Sequence, residues 1–128
     1  NLGSRLEGLT KKYHQPMLIS ESLHQKVHEQ VPCRLIDTVA VKGRAKGVKI
    51  YAAKKTLTEQ ENKAWTLHNT AMDHYYRREF DQAIRYFEDV RKIFPEDYAS
   101  QLLIERCQQL KVTPPPADWN GVEIMKEK

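Results

Sequence analysis

The chain has 128 residues, enough for one ordinary domain or two small modules. Hydrophobic residues make up 40% and charged residues 30%, a balance that excludes a wholly disordered or collagen-like chain. The net charge of +4 is unevenly spread. Residues 1–57 carry eleven Lys/Arg against four Asp/Glu, and residues 58–128 carry ten against thirteen. The first half suits phosphates; the second has no such bias.

No apolar run approaches the roughly 18 residues that a membrane helix needs, so no membrane segment is expected in this chain. The opening residues lack the basic-then-apolar run of a signal peptide, and they lack a starting Met. The chain is expected to be a piece of something longer. Cys33 and Cys107 are too few for a disulfide framework or a four-cysteine zinc site. They read as free thiols in a reducing compartment, with one bridge between them as the alternative.

Leu2, Leu6, Leu9 and Tyr13 form one apolar stripe, which predicts a helix of about four turns. Gln15-Pro16 ends it, because a residue before proline disfavours the helical region. Met17-Leu18-Ile19 suits a short buried strand. Ser20 or Ser22 can cap a second helix with Leu23 and Val27 on its inner face, stopped by Val31-Pro32. Residues 34–41 then read as a strand with Leu35, Val39 and Val41 facing one way. Residues 42–47 form a basic turn with two glycines, and residues 48–52 alternate again. An antiparallel hairpin over residues 34–53 follows.

The texture changes at Thr58. Thr58-Glu59-Gln60-Glu61 is a capping box, and a helix is expected from there to about Arg77 with Trp65, Leu67, Met72, Tyr75 and Tyr76 as its bulky members. Arg78-Glu79-Phe80 is a turn. Asp81 is expected to cap a helix carrying Ala83, Ile84, Phe87, Val90 and Ile93, ended by Pro95. A third helix, about residues 96–110, carries Tyr98, Leu102, Leu103 and Cys107. Pro114-Pro115-Pro116 is a stiff spacer, Asp118-Trp119-Asn120-Gly121 a turn, and the last residues are expected to fray. Ala71, Phe80, Ala83, Phe87 and Pro95 keep the spacing of the tetratricopeptide motif, but Leu67 and Thr70 stand where its Leu-Gly pair belongs. One unit and part of another predict a helical appendage rather than a peptide-binding groove.

The first 53 residues resemble the C-terminal part of a class III nucleotide cyclase catalytic domain, the family of adenylate and guanylate cyclases. The resemblance rests on three blocks in register. They are Asn1-Leu2-Gly3-Ser4-Arg5-Leu6-Glu7, then Pro16-Met17-Leu18-Ile19-Ser20, then Val41-Lys42-Gly43-Arg44 with Val48-Lys49-Ile50-Tyr51. The helical tail also looks like the extension that some bacterial cyclases carry. The implied fold is α+β: the C-terminal portion of a ferredoxin-like domain, helix–strand–helix–hairpin, followed by an antiparallel helical extension. The implied organisation is residues 1–55 for the cyclase part, 58–112 for the extension, and 113–128 for a Pro-rich tail.

The resemblance implies an active site at a head-to-tail homodimer interface, with ATP or GTP as substrate and two divalent ions, Mg2+ or Mn2+, in the parent enzyme. It implies that Asn1 orients the ribose, that Arg5 stabilises charge on the α-phosphate, and that Lys42 binds the triphosphate. The chemistry agrees. In-line attack of the ribose 3′-oxygen needs positioning and charge neutralisation more than covalent help. On a helix Asn1 and Arg5 share one face. Asn can donate to and accept from a sugar hydroxyl, Arg offers a forked cation, and Lys a compact point charge. Removing one such donor costs roughly 2.7–4 kcal/mol of transition-state stabilisation.

The family's metal-binding aspartates and purine-reading residues fall upstream of Asn1, so no metal site is expected in this chain and the fragment alone is expected to be inactive. A cytoplasmic location is expected, with a membrane tether on the parent left open. The alternative role is a helical protein-interaction module with a protein partner at the extension. Nucleic acid ranks last, because residues 34–49 interleave no aromatics with their basic residues. His24 and His28 share a helix face at zinc-compatible spacing, but exposed histidines are the commoner outcome. Cys33 reads as packing. Trp65, Tyr75, Tyr76 and Trp119 read as helix packing rather than a base-stacking platform. Arg44, Lys46 and Lys49 read as surface charge.

Overall fold

The computed structural model describes residues 2–41 and 47–125, with side chains described for all of these except 2–5, 41, 124 and 125. In chain order they form α1 (Leu2–Tyr13), β1 (Leu18–Ser20), α2 (Glu21–Val27), β2 (Cys33–Val41), β3 (Val48–Ala53), α3 (Glu59–Tyr76), α4 (Phe80–Ile93), α5 (Tyr98–Val112) and β4 (Val122–Met125). The fold is α+β, and the helix–strand–helix–hairpin order is compatible with the expected cyclase portion. Contacts gather the chain into two units, one of Asn1–Thr56 with Gly121–Lys128 and the other of Leu57–Asn120.

In the first unit the sheet order is β1-β3-β2-β4. β3 pairs antiparallel with β1 and with β2, as the hairpin reading requires. Strand β4 pairs in parallel with residues 38–41 of β2, where the sequence reading expected fraying. Four residues are too few to announce a strand; an existing edge supplies the hydrogen-bond partners that make it one.

The expected alternation along β2 fails at one point. Leu35 pairs with Tyr51 and Asp37 pairs with Ile50, so Ile36 is an extra residue. Such a bulge shifts the side-chain alternation by one position. Leu35 therefore leaves the face of Val39, and Ile36, Asp37 and Val39 are buried.

Helix α1 ends at Tyr13, two residues before the expected stop at Gln15-Pro16. His14 takes a left-handed backbone (φ 55°), and the Gln15 N–H donates to the Thr10 carbonyl at 2.9 Å. This is a Schellman closure, in which glycine is the usual residue. Helix α2 buries none of its residues. Leu23, expected inside, is exposed, and His24 takes the inner position, stacked on Tyr51 with centroids 3.6 Å apart.

In the second unit α3 packs on α4 and α4 on α5. Its core is Ala64, His68, Ala71, Met72 and Tyr75 of α3, Phe80, Ala83, Phe87 and Val90 of α4, and Ala99, Leu103, Ile104 and Cys107 of α5. Small residues at 71, 83 and 99 let the helices approach, and the aromatics fill what remains. The Thr58–Glu61 capping box forms in both directions. Asp81 is not a cap: it sits in the first turn of α4, whose cap position is Glu79, and it pairs with Lys111. Arg78 closes α3 as His14 closes α1, at φ 66°, with the Glu79 N–H donating to the His74 carbonyl. A left-handed residue other than glycine costs about 1–2 kcal/mol, so something must hold Arg78 there.

Gly47 precedes β3 where the sheet leaves no room. A Cβ added there would sit 2.6 Å from Val122 Cγ2 and 3.0 Å from Thr38 Cγ2. Gly47 is thus a close-approach glycine that lets β4 lie against the hairpin. Gly47→Ala should lower stability by about 1–3 kcal/mol, because the β-branched Val122 has little freedom to move. Thermal melting checks this, and Val122→Ala in the same chain should recover part of the loss.

Candidate functional site

Asn1 and Lys42, two of the three expected site residues, lie outside the described residues. Arg5 lies on α1, with its side chain outside the described part. Around that helix the structure describes the framework that fixes its position.

That framework is a buried polar chain joining the end of α1 to β2. Tyr13, the last member of the apolar stripe, is 1% exposed, and its hydroxyl donates to Asp37 Oδ2 at 2.5 Å. Asp37 is fully buried, and the Thr38 N–H donates to its Oδ1 at 2.9 Å. Arg34, also buried, donates from Nη2 to Gln15 Oε1 at 3.3 Å. Gln15 in turn donates from Nε2 to the Tyr13 carbonyl at 3.0 Å. The bulge at Ile36 makes this possible, since it turns Asp37 to the face of Ile50. Sequence reasoning took Tyr13 as purely apolar and Gln15 as a helix end. The available signal was an Asp inside the apolar run Leu35-Ile36-Asp37-Thr38-Val39.

A second cluster lies where α2 meets β3. Ser20 caps α2, accepting from the Leu23 N–H, and Glu21 accepts from the Lys49 backbone N–H at 3.1 Å. His24 stacks on Tyr51 and on His28. Burial lowers the His24 pKa below its ordinary 6.5; His28 and Lys49 push the same way, and Glu21 opposes them. Burial raises the Tyr51 pKa, with Glu21 and Cys33 adding to the effect. Among the described residues no group of three or more His, Cys, Asp or Glu could hold a metal ion. His24 packs between the Tyr51 and His28 rings, and His28 is exposed.

Both cysteines are free thiols. Burial pushes Cys107 up to about 12 and raises Cys33 too, so neither is a ready thiolate. Tyr75 and Trp119 pack edge to face with each other and with Phe80, which leaves none of these rings as an open platform. No described helix is long and apolar enough to cross a membrane.

Comparison with known proteins adds one relative. The chain is 33% identical over 119 residues to the terminal-differentiation-specific adenylate cyclase of Dictyostelium discoideum. The chain is similar to an adenylate cyclase. The alignment takes in 85% of this chain and 6% of the relative, so the chain spans a small part of that protein's length. No family model matches, and no solved structure does. The alignment length requires that it reach beyond the hairpin into the helical unit, so the likeness is not confined to residues 1–53.

Two outcomes follow from these contacts. Tyr13→Phe should cost about 1–3 kcal/mol and Asp37→Ala more, because the second removes the acceptor of two hydrogen bonds, from the Tyr13 hydroxyl and from the Thr38 N–H. Urea titration of the two variants reads this. For His24 the folded pKa lies below the unfolded one, so the unfolded chain takes up the proton first. Stability from this contact is full above pH 6.5 and falls as the pH drops toward the lowered value. An NMR titration of the His24 ring should give a midpoint below 6.5, and His24→Gln should flatten the loss of stability in that window.

Proposed function

We propose that this chain is the C-terminal part of a class III nucleotide cyclase catalytic domain with a TPR-like helical extension. Residues 1–55 are the cyclase portion, residues 58–112 the extension, and the Pro-rich tail starts at 113. The parent converts ATP, or GTP, into the cyclic nucleotide and pyrophosphate as a cytoplasmic homodimer. The observation that carries this reading is the 33% identity to an adenylate cyclase over 119 residues, and the helix–strand–helix–hairpin order is compatible with it.

In this reading Asn1 holds the ribose so that its 3′-oxygen faces the α-phosphorus. Arg5, one helical turn on, meets the charge that builds on the α-phosphate, and Lys42 holds the leaving phosphates. Each acts by placing charge or hydrogen bonds where the transition state needs them. The Tyr13–Asp37 contact fixes the far end of the helix that carries Arg5. The divalent ions of the family neutralise the triphosphate when bound. The resemblance assigns their ligands to two aspartates near the start of the family's domain, outside the blocks that this chain matches.

The test restores the start of the domain and measures cyclic nucleotide formation with Mg2+ or Mn2+. Arg5→Ala and Asn1→Ala should each lower kcat about a hundredfold to a thousandfold. Lys42→Ala should raise KM for the triphosphate. The 128-residue chain alone should form no product. Unchanged turnover in all three variants defeats the assignment.

A further inference from the structure

Arg78 is a costly residue where it stands, since glycine is the ordinary choice for the left-handed position that closes α3. Its side chain is engaged by the tail. Nη2 donates to the Pro115 carbonyl at 2.8 Å and Nη1 to the Pro116 carbonyl at 2.9 Å, so one planar fork reads two successive carbonyls. Three prolines in a row favour the extended polyproline form, which has no internal hydrogen bonds and leaves its carbonyls open to such a donor.

The segment then turns. The Trp119 N–H donates to the Pro116 carbonyl at 3.0 Å, and the indole comes back to the same guanidinium, 5.8 Å from its ring centroid. The indole meets Tyr75 and Phe80 edge to face, with centroids 5.4 and 5.7 Å away. Pro115 is buried and Trp119 half-buried, whereas Ala117 and Asp118 are exposed. These contacts select two successive prolines and a tryptophan three residues after the second, and leave the two positions between them free. Arg78, Tyr75, Phe80 and residues 115–119 all belong to the second unit.

An aromatic-lined cleft with a donor for polyproline carbonyls is a general way of binding proline-rich ligands. Here Thr113 and Pro114 alone separate the end of α5 from Pro115. A short tether supplies an effective concentration of about 1 mM, so a segment that stays seated at that concentration binds in trans with a Kd of about 1 mM or tighter.

We propose that the α3–α4 turn is a recognition site for a Pro-Pro-x-x-Trp segment, filled here by the chain's own tail and able to take the same segment from a second copy of this chain. The two segments are identical, so the exchange keeps every contact. The site stands independently of the cyclase reading.

The probe is a peptide of residues 113–121. The receptor is the full chain with Trp119→Ala, which weakens the resident tail, and Trp65→Phe. Both tryptophans of the chain are then gone, and the peptide's indole is the reporter. Its emission should shift to the blue and saturate with a Kd of about 1 mM or tighter. Arg78→Gly in the receptor relieves the backbone yet should weaken binding about tenfold. A peptide with Pro115→Ala and Pro116→Ala should bind more weakly, and one with Ala117→Ser and Asp118→Ser equally well. In the Trp65→Phe chain with its tail intact, Arg78→Gly should shift Trp119 emission to the red.

No saturable shift by about 1 mM, in a receptor that keeps its helical circular dichroism, overturns the site. Equal binding by the Arg78→Gly receptor also overturns it, and equal binding by the alanine peptide leaves an apolar patch for tryptophan instead of a Pro-Pro site. If the receptor loses its helical signal, the chain with the intact tail decides, and Trp119 emission that does not move on Arg78→Gly overturns the proposal.

Discussion

A buried carboxylate governs the first unit. Asp37 has no exposed surface, and burying such a group is tolerable only with hydrogen bonds in place. The bulge at Ile36 turns it to the core face, the Tyr13 hydroxyl meets it from α1, and the Thr38 N–H meets it from its own strand. A helix could slide along an apolar surface at little cost. Tied to a buried carboxylate, α1 has one position, and what it carries is positioned with it.

The second unit is organised by size instead of by charge. Small residues on α3, α4 and α5 permit close approach, and Tyr75, Phe80 and Phe87 fill the space between. Its caps are polar and local: Thr58 with Glu61, and Asp97 with Ser100. At the α3–α4 turn, His74 and Arg77 both bond Glu79 and hold its carboxyl below the usual range. Two helix ends, at His14 and Arg78, place a non-glycine residue in a left-handed backbone. At Arg78 the reason is visible, since the side chain is engaged by the tail.

The likeness to an adenylate cyclase extends past the hairpin. An alignment that takes in 85% of the chain needs both units. The chain leaves the sheet at β3 and comes back to it with β4, after α5.

Local chemistry was enough to determine most of the elements. The stripe Leu6-Leu9-Tyr13, the capping box at Thr58 and the alternation over residues 48–52 each encode an element within a few residues, because periodicity and end-capping act at short range. The hairpin and the three later helices follow the same way. What the tertiary structure alone decided depends on partners distant in sequence. The bulge at Ile36 exists because Asp37 must meet Tyr13, 24 residues away. Strand β4 exists because β2 offers an edge. His24 displaced Leu23 from the inner face because Tyr51 offers a ring to stack on. Such choices are set by what lies across the fold, and nothing in a residue's neighbours along the chain records it.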